Sequence, residues 1–531
     1  MLGGLGLDAA TPWLAWWPAA LVGAALILVA LWQQRARAGL GLGAAAGAAF
    51  WLPNIHWLTL YLGPVPWLGL AGVMIAWFAL LGLAVAVATR GIARLPIPAW
   101  ARVAAQAVAA AGLWVLREQL QSTWPYGGFA WGRIAHTQAE GPLAALVSWL
   151  GFPGLSGILV FACALPVAAW FARGGGAARR PLAPILVSAA TVLALVLLAL
   201  APPAPLARSG DLRVAAVQGN SKSGIFDDRE NGDVFRSHLE ETGRMLDELE
   251  ARGERVDVIV WPENSAEFAL PGHRDRMSAV QRLAERAGAP IVLGTILAEP
   301  GDDEDGDGER DIVYTNSTLV VSGDASTPTI IEGRYDKRRP VPFAEYMPNR
   351  PFFRALAPDL VDLVQLEYTA GTLPAVLEVD GAAGPFRAGI AICFDIVFDD
   401  HADAMMTQQP ATGGEAGAQV IFAQTNNADF GRTDQSAQQL QIARLRAVET
   451  GRALVNISTV GTSAIVAPDG ADLAAIEPHT VGFMVAEVPL VDGLTPASRF
   501  GGWIAAAWML LGGAGLLVGL YGSIRSRAPR G

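Results

Sequence analysis

Apolar residues are unevenly distributed along this chain of 531 residues. They dominate residues 12–201 and 500–522, whereas residues 209–495 mix apolar and polar positions as a water-soluble domain does. A helix needs about 20 mostly apolar residues to cross a bilayer core. The pattern predicts seven membrane-spanning helices, with a turn at 151–157 inside the fifth, at residues 13–32, 40–60, 66–89, 99–117, 143–172, 182–201 and 500–522.

The same pattern predicts the domain organisation. We expect six spans to form a membrane domain over residues 1–205, followed by a water-soluble domain over 209–495, a C-terminal span at 500–522 and a tail at 523–531. Arginines follow the first, third, fifth and last spans, at Arg35, Arg37, Arg90, Arg94, Arg173, Arg179, Arg180, Arg525, Arg527 and Arg530. Because basic residues concentrate in cytoplasmic loops, the tail is predicted to be cytoplasmic and the soluble domain extracytoplasmic.

Short apolar runs alternate with amphipathic stretches in the soluble domain. Helices are predicted at 234–250, 274–287 and 434–451, and strands at 212–217, 256–261, 290–296, 312–322, 328–334, 386–393, 418–424, 453–459, 462–467 and 481–488. Residues 231–233 are predicted to cap the first of these helices. Adjacent strand pairs among alternating strands and helices favour two sheets flanked by helices, an αββα sandwich, over a single doubly wound sheet.

Composition narrows the classes of function. The formal net charge of −11 argues against a nucleic-acid partner, because such proteins present a basic surface. Two cysteines, Cys163 and Cys393, exclude a disulfide framework, and the 6 histidines are scattered, so neither a metal nor another cofactor is expected. Lysine occurs only at Lys222 and Lys337, although lysine and arginine together number 38. A lysine retained in so arginine-rich a chain suggests a specific chemical role.

Several polar residues follow strand-like runs. Glu263, Cys393 and Asn426 each follow a predicted buried strand, and Lys337 follows another apolar run. The carboxyl ends of strands are where clefts form in α/β proteins, so residues distant in sequence can converge there. A cysteine thiol becomes a strong nucleophile once its proton is removed. Glu263 can accept that proton, Lys337 can stabilise the thiolate and an oxyanion, and the backbone N–H of Phe394 is a second candidate oxyanion donor.

Each residue by itself has a simpler interpretation. An isolated cysteine in an apolar strand is usually an inert core residue, and a glutamate at a strand end is usually a surface carboxylate. A lysine beside Arg338 and Arg339 is usually part of a solvated turn. Their order along the chain and their shared position after strands favour a catalytic site instead. Cys163, inside a predicted span, is interpreted as an inert core residue.

The segments around these residues resemble those of a known family. They are residues 261–263, 335–348, 391–395, 426–431 and 444–449. With the predicted spans and the loop 124–128, they resemble bacterial apolipoprotein N-acyltransferases, a membrane-embedded family of the carbon-nitrogen hydrolase (nitrilase) superfamily. The resemblance implies a nitrilase-like soluble domain in which Glu263 is the general base, Lys337 the oxyanion stabiliser and Cys393 the nucleophile. Glu345 matches a second supporting glutamate, and a capped turn before Pro348 explains it equally well.

The resemblance also implies a reaction and a location. An acyl chain of a membrane phospholipid would pass through a thioester on Cys393 to the α-amino group of the N-terminal diacylglyceryl-cysteine of an apolipoprotein, without a cofactor. The enzyme would be a multi-pass protein of the bacterial inner membrane, with its catalytic domain on the extracytoplasmic side. Eight spans are usual in the family, so the seven predicted here leave an upstream first helix unaccounted for.

The chain departs from the family pattern beside the nucleophile. Many relatives carry Tyr-Glu where this chain has Phe394 and Asp395, so one hydroxyl is lost and the carboxylate is one methylene shorter. We assign both residues, with Asn426, to a supporting role. Tight-turn packing explains the aromatic, Pro-rich loops 124–129 and 348–353 as well as lipid contact does. The candidates for substrate binding are aromatic residues in or near such loops or after the first strand: Trp124, Phe226 and Tyr346.

Two alternative functions remain open. A membrane-tethered amidase or nitrilase would use the same three residues and pass the thioester to water instead of an amine. The embedded spans favour lipid substrates, because a soluble substrate needs only one anchor. The other alternative is a non-catalytic scaffold or transporter. Transport paths usually need ionisable residues inside the spans, and here Arg117 and Glu118 lie at a span end.

Overall fold

The computed structural model describes residues 1–172, 182–224, 228, 230–301, 311–323, 331–364 and 366–525. The chain forms two compact units, one of Met1–Ala204 with Thr495–Gly531 and the other of Pro205–Leu494. Several arginines of the predicted cytoplasmic clusters lie outside the described residues: Arg173, Arg179, Arg180, Arg527 and Arg530.

The first unit is built from helices. They are α1 (Leu2–Asp8), α2 (Pro18–Leu31), α3 (Ala36–Asn54), α4 (Thr59–Leu62), α5 (Pro64–Ile92), α6 (Ala99–Gln121), α7 (Val147–Phe171), α8 (Leu182–Leu198) and, after the second unit, α15 (Pro496–Arg525). In the described chain, 4 helical segments are long and apolar enough to cross a membrane: Pro64–Ile92, Ala99–Gln121, Ala144–Phe171 and Pro496–Arg525. Helices α2 and α8 are apolar but shorter.

Two helix boundaries differ from the predicted spans. The first predicted span, 13–32, is helical only from Pro18, and the separate short helix α1 precedes it. Proline favours the start of a helix because its fixed φ suits the first turn and its missing N–H needs no partner there. The turn predicted inside the fifth span is present at Gly151, whose φ of 66° interrupts α7. The count of seven spans stays a prediction.

Glycines let α15 approach its neighbours closely. A Cβ on Gly512 would lie 2.3 Å from the carbonyl carbon of Gly112 in α6, and one on Gly519 would lie 2.5 Å from the Cα of Ala88 in α5. Small residues are common where membrane helices touch, because they allow the backbones into van der Waals contact. A Cβ on Gly513, the next residue along α15, would meet nothing within 4 Å.

Buried hydrogen bonds hold the segment that follows α6. Oε1 of Glu118 accepts the backbone N–H of Ile134 at 3.0 Å, and Gln121 donates to the carbonyl of Trp131 at 2.9 Å. Polar groups buried without such partners would be costly. The loop held in this way carries Trp124, whose side chain is exposed.

The second unit contains two sheets. Its strands are β1 (Ala207–Gln218), β2 (Val258–Val260), β3 (Ile291–Pro300), β4 (Ile312–Val321), β5 (Ile331–Asp336), β6 (Val376–Gly381), β7 (Gly384–Ile392), β8 (Val420–Thr425), β9 (Leu454–Ser458), β10 (Ser463–Val466), β11 (Asp472–Ile476) and β12 (Gly482–Asp492). The two 6-stranded sheets have the orders β12-β1-β2-β3-β4-β5 and β11-β10-β9-β8-β7-β6. Strands β1, β2 and β3 pair in parallel, as do β7, β8 and β9. Their carboxyl ends therefore lie along one edge of each sheet.

Helices cover the outer faces of both sheets. The helices of this unit are α9 (Asp233–Arg252), α10 (Arg274–Ala287), α11 (Arg350–Leu356), α12 (Pro358–Val361), α13 (Asp399–Thr407) and α14 (Gln435–Thr450). Helices α9 and α10 share one apolar core with the first sheet, and α13 and α14 pack on the second. The predicted αββα sandwich is confirmed. Strands β6 and β11 and helices α11, α12 and α13 were not predicted. Strand β11 is largely exposed and so has no apolar run.

The N-cap of α9 lies within the predicted residues 231–233, but it has no cap hydrogen bond from its own side chain. The N-cap residue is Gly232, which has no side chain to donate or accept a hydrogen bond. The carboxylate of Glu267 instead accepts the backbone N–H groups of Gly232 at 2.7 Å, Val234 at 3.3 Å and Phe235 at 3.1 Å. These are N–H groups that a helix start leaves without an internal partner. A side chain far along the sequence satisfies them, and a local pattern does not reveal it.

Replacing Gly512 with valine should destabilise the helical unit by about 1–3 kcal/mol, because the added methyl groups would overlap the backbone of α6. The same replacement at Gly513 changes the helix propensity equally but meets open space, so it should leave the melting temperature near that of the wild type. Heating in detergent followed by size-exclusion chromatography measures both variants. An equal fall in melting temperature for the Gly512 and Gly513 variants would contradict this packing.

Candidate active site

Four predicted site residues lie directly after strands. Glu263 follows β2 and Lys337 follows β5 in the first sheet, whereas Cys393 follows β7 and Asn426 follows β8 in the second. The sandwich brings strand ends from both sheets together. Residues separated by more than a hundred positions in the sequence therefore meet in one site.

Glu263 is buried and surrounded by hydrogen-bond donors. Its Oε1 accepts from Lys337 Nζ at 3.0 Å and from Asn316 Nδ2 at 2.8 Å, and its Oε2 accepts from the backbone N–H of Asn426 at 2.8 Å. Burial raises the pKa of Glu263, and the charge of Lys337 and the hydrogen bonds oppose that rise without cancelling it. A carboxylate whose pKa is raised takes up a proton more readily, which suits a general base.

Lys337 is held between two carboxylates. Its Nζ lies 3.0 Å from Glu263 and 2.9 Å from Glu345, and the residue is only 2% exposed. Burial acts to lower the pKa of Lys337, but the negative charges of Glu263 and Glu345 outweigh it and hold that pKa well above its usual range. The ammonium therefore keeps its proton near neutral pH. Lys337 can act as a fixed cation and not as a base.

Glu345 closes its own turn and also contacts the ammonium. Its Oε2 accepts the backbone N–H of Val341 at 2.7 Å, which is the bond of a capped turn. Its Oε1 accepts from Lys337 at 2.9 Å and from Asn316 Nδ2 at 3.0 Å. The two interpretations offered for this residue are thus compatible. The turn places the second carboxylate against Lys337.

Cys393 begins the sharp turn Cys393–Val397 that follows β7. Its φ is 49°, a left-handed backbone conformation that is strained for a residue with a side chain. Burial raises the pKa of the Cys393 thiol, the charges of Glu263 and Glu345 add to the rise, and Lys337 opposes it. The resting sulfur is therefore a protonated thiol. A thiol must lose its proton to act as a nucleophile, and Glu263 in the same cluster is a carboxylate that can accept it.

Asp395 ties the cysteine turn to the segment that carries Lys337. Its Oδ2 accepts from the hydroxyl of Tyr335 at 2.7 Å and from the backbone N–H of Ile392 at 3.2 Å. Its Oδ1 accepts the backbone N–H of Arg339 at 2.8 Å. Since Tyr335 and Arg339 flank Lys337, one buried carboxylate sets the distance between sulfur and ammonium. Both oxygens of Asp395 serve this purpose.

The contacts of the remaining predicted site residues do not settle their roles. The ring of Phe394 packs edge-on against Phe398, with centroids 4.8 Å apart. The carbonyl of Tyr346 accepts a backbone hydrogen bond within a turn. Trp124 belongs to the helical unit, and Phe226 lies outside the described residues. The roles of Trp124, Tyr346 and Phe226 in substrate binding, and of the Phe394 N–H as an oxyanion donor, stay predictions.

Two buried amides on strands of the two sheets were not predicted from the sequence. Asn316 of β4 donates to both carboxylates of the cluster. Gln424 of β8 donates to the carbonyl of Trp261 at 2.6 Å and accepts from Thr318, so it links the two sheets beside Glu263. For Gln424 the available signal was a lone amide in a mostly apolar strand, because a buried amide needs hydrogen-bond partners. Asn316 stands among threonines and a serine, so its strand gave no such signal. A third missed amide, Gln439 of α14, contacts Cys393.

The space between the two carboxylates is filled. Lys337 Nζ lies between Glu263 and Glu345, where a cation would bind. Across the described ranges, His, Cys, Asp and Glu side chains form no group of three or more suited to a metal ion. The arrangement places a thiol, a carboxylate and an ammonium in one cluster, which can serve as nucleophile, base and fixed cation.

Two family models match the chain. One describes the apolipoprotein N-acyltransferase N-terminal domain and matches residues 3–165, and the other describes carbon-nitrogen hydrolases and matches residues 213–493. Each model covers most of one structural unit.

Similar proteins span nearly the whole chain. An apolipoprotein N-acyltransferase of Mycolicibacterium smegmatis is 32% identical over 99% of this chain and 85% of its own length. One of Azotobacter vinelandii is 30% identical over 97% of this chain and 92% of its own length. A solved amidase of the nitrilase superfamily from Nesterenkonia is 16% identical over 54% of this chain and 93% of its own, with a TM-score of 0.36.

These matches agree with the family predicted from the sequence motifs. The 4 helices that are long and apolar enough to cross a bilayer, together with the named relatives, make the chain a membrane protein. The matched hydrolase region contains all three residues of the Glu–Lys–Cys cluster. The chain belongs to the apolipoprotein N-acyltransferase family, within the carbon-nitrogen hydrolases.

Proposed function

We propose that this protein transfers an acyl chain from a membrane phospholipid to the N-terminal amino group of a diacylated apolipoprotein. The named relatives support this class of reaction. The observation that carries the proposal is the electrostatic cluster of Glu263, Lys337 and Cys393, which suits a covalent acyl-enzyme. Donor and acceptor are both lipid-anchored, so a chain with membrane-spanning helices suits both substrates.

The proposal includes a location. The enzyme would be a multi-pass protein of the bacterial inner membrane with its catalytic unit on the extracytoplasmic side. The arginines that follow alternate predicted spans support this orientation, because cytoplasmic loops are enriched in basic residues.

In the first half-reaction, the sulfur of Cys393 attacks the ester carbonyl carbon while Glu263 takes the thiol proton. Lys337 stabilises the oxyanion that develops, together with the backbone N–H of Phe394. The ester C–O bond then breaks, and Glu263 returns the proton to the departing alkoxide. A lysophospholipid leaves, and the acyl chain remains on Cys393 as a thioester.

In the second half-reaction, the free amino group of the apolipoprotein attacks the thioester carbonyl. Glu263 accepts a proton from the amine, the C–S bond breaks, and the departing sulfur recovers that proton. The product is an amide, and the enzyme returns to a carboxylate at Glu263 and a thiol at Cys393. Water attacking in place of the amine would release a fatty acid, so access to the thioester separates a transferase from a hydrolase.

Incubating the full-length protein with phospholipid should add one acyl mass to Cys393, and Cys393→Ala should abolish the adduct. Intact-protein and peptide mass spectrometry measure this. Cys163→Ala is the matched control, because Cys163 lies in α7 and its thiol donates to the carbonyl of Leu21 at 3.4 Å. An adduct that survives Cys393→Ala, or disappears in Cys163→Ala, would show that the nucleophile is assigned wrongly.

Purified enzyme given phospholipid and a synthetic diacylglyceryl peptide should yield N-acylated peptide and lysophospholipid in equal amounts. Two acceptors distinguish the functions: the peptide with a free amino group, and the same peptide with an acetylated amino group. Acylation should require the free amine. Free fatty acid at equal rates with both peptides would favour the hydrolase.

Replacing Glu345 with glutamine should move the acid limb of the thioester-forming rate to lower pH. The base must be ionised, so the rate falls as pH drops through the pKa of Glu263. The charge of Glu345 raises that pKa, and its loss should lower the midpoint by about one pH unit. The maximal rate should also fall, because a weaker base is less effective.

The control for this variant is Glu487→Gln, at an exposed position of β12. Single-turnover thioester formation measured against pH in the three proteins compares the midpoints. An unchanged midpoint, or one that moves to higher pH in Glu345→Gln, would rule out the electrostatic coupling between the two carboxylates.

A further inference from the structure

Gln439 of α14 lies against the cysteine turn. Its Nε2 donates to the backbone carbonyl of Cys393 at 2.9 Å and lies 3.7 Å from the Cys393 sulfur, within reach of an N–H···S hydrogen bond. The residue is buried. Its amide therefore contacts both the backbone and the reacting atom of the proposed nucleophile.

A chain of buried hydrogen bonds sets the orientation of this amide. The Gln439 Oε1 accepts from Asn427 Nδ2 at 2.9 Å and from Gln435 Nε2 at 3.3 Å. The Asn427 Oδ1 in turn accepts from the hydroxyl of Ser458 at 2.8 Å and from that of Thr425 at 3.2 Å. The carbonyl of Cys393 can only accept, so the NH₂ group of Gln439 faces it, and the NH₂ group of Asn427 correspondingly faces the oxygen of Gln439. The NH₂ group of Gln439 is thereby directed at Cys393.

The hydrogen bond from Gln439 to the carbonyl of Cys393 holds a residue whose backbone is strained. Cys393 has a φ of 49°, which costs free energy for a residue with a Cβ and persists only where its surroundings impose it. One N–H of Gln439 binds the carbonyl of this residue. The same nitrogen carries a second N–H and lies 3.7 Å from the sulfur.

We propose that Gln439 positions the nucleophile and donates a hydrogen bond to the sulfur of Cys393 as that sulfur gains negative charge. The inference rests on the proposed role of Cys393 as the acylated residue. A thiolate accepts hydrogen bonds more strongly than a thiol or a thioester does, because bonds to charged groups are stronger. The donor therefore assists both the attack of the sulfur on the ester and its departure from the thioester.

The charged groups around the Cys393 sulfur and the uncharged amide of Gln439 all act on the ionisation of the thiol. Glu263 and Glu345 disfavour the thiolate and Lys337 favours it, while the hydrogen bond from Gln439 lowers the pKa of the Cys393 thiol. A role confined to the backbone carbonyl would leave the ionisation of the sulfur unchanged. The pH dependence of thiol reactivity therefore separates a sulfur donor from a merely structural amide.

The experiment is alkylation of the full-length protein by iodoacetamide against pH, in a Cys163→Ala background so that only Cys393 reports. Gln439→Leu removes the donor, and the rate at a pH below the thiol pKa should fall about tenfold, as for a rise of one pKa unit. Gln439→Glu keeps the size and the acceptor for Asn427 but places a carboxylate near the sulfur. Its rate should fall further.

Gln438→Leu is the matched control. Gln438 is the adjacent residue of α14, is equally buried, and donates to Asp434 at 2.7 Å instead of to Cys393. Its alkylation profile should match that of the Cys163→Ala background. A Gln439→Leu profile that matches this control would overturn the inference. If Gln439→Leu does not fold, Gln439→Glu decides, and a rate equal to the background would overturn it.

Alkylation requires no lipid, so its outcome is independent of the proposed reaction. Loss of the proposed function would appear as an absent acyl adduct on Cys393 while the Gln439 variants still shift thiol reactivity. If the inference about Gln439 is wrong, the acyl adduct on Cys393 should still form and the Gln439 variants should leave the alkylation rate of Cys393 unchanged. In the single-turnover assay, Gln439→Leu should slow thioester formation and aminolysis by similar factors. If only one of these steps became slower, the hydrogen bond from Gln439 could not be assisting both of them.

Discussion

One buried ammonium shared by two carboxylates is the interaction on which the site depends. Breaking a buried ion pair by removing one partner costs about 3–5 kcal/mol, because the other charge is left uncompensated. The other oxygen of each carboxylate accepts a backbone N–H group, from Asn426 at Glu263 and from Val341 at Glu345. Asn316 donates to the same two oxygens as Lys337. This pairing lets the fold keep a buried carboxylate of raised pKa in the same cluster as the thiol of Cys393.

Hydrogen bonds of residues outside that cluster fix its geometry. Asp395 binds both the cysteine turn and the backbone beside Lys337, and Gln424 links the strand ends of the two sheets through Trp261. Such cross-sheet bonds are costly to break because their groups are buried. They convert two separate sheets into one rigid support for the reacting atoms.

Regular elements were predictable wherever burial follows a simple period. Helix α10 has the predicted limits, and most strands agree within a few residues, because their apolar runs are continuous. The position of the α9 cap was predicted, but its partner was not, because the carboxylate of Glu267 satisfies the helix start from far along the chain. Strand β11 was missed because its mostly exposed residues carry no apolar run. In the helical unit, hydropathy located the apolar segments, but Pro18 and Gly151 decided where the helices begin and break.

The sequence by itself determined which chemical groups are available and their order: a glutamate, a lysine and a cysteine, each after a strand, in a chain with membrane-spanning segments. It also determined the family, because the segments around those residues are distinctive. Only the tertiary structure decided which amides serve the site, since Asn316, Gln424 and Gln439 act on groups far away in the chain. Hydropathy and periodicity report the burial of a segment, whereas the partner of a buried polar atom depends on how distant segments pack.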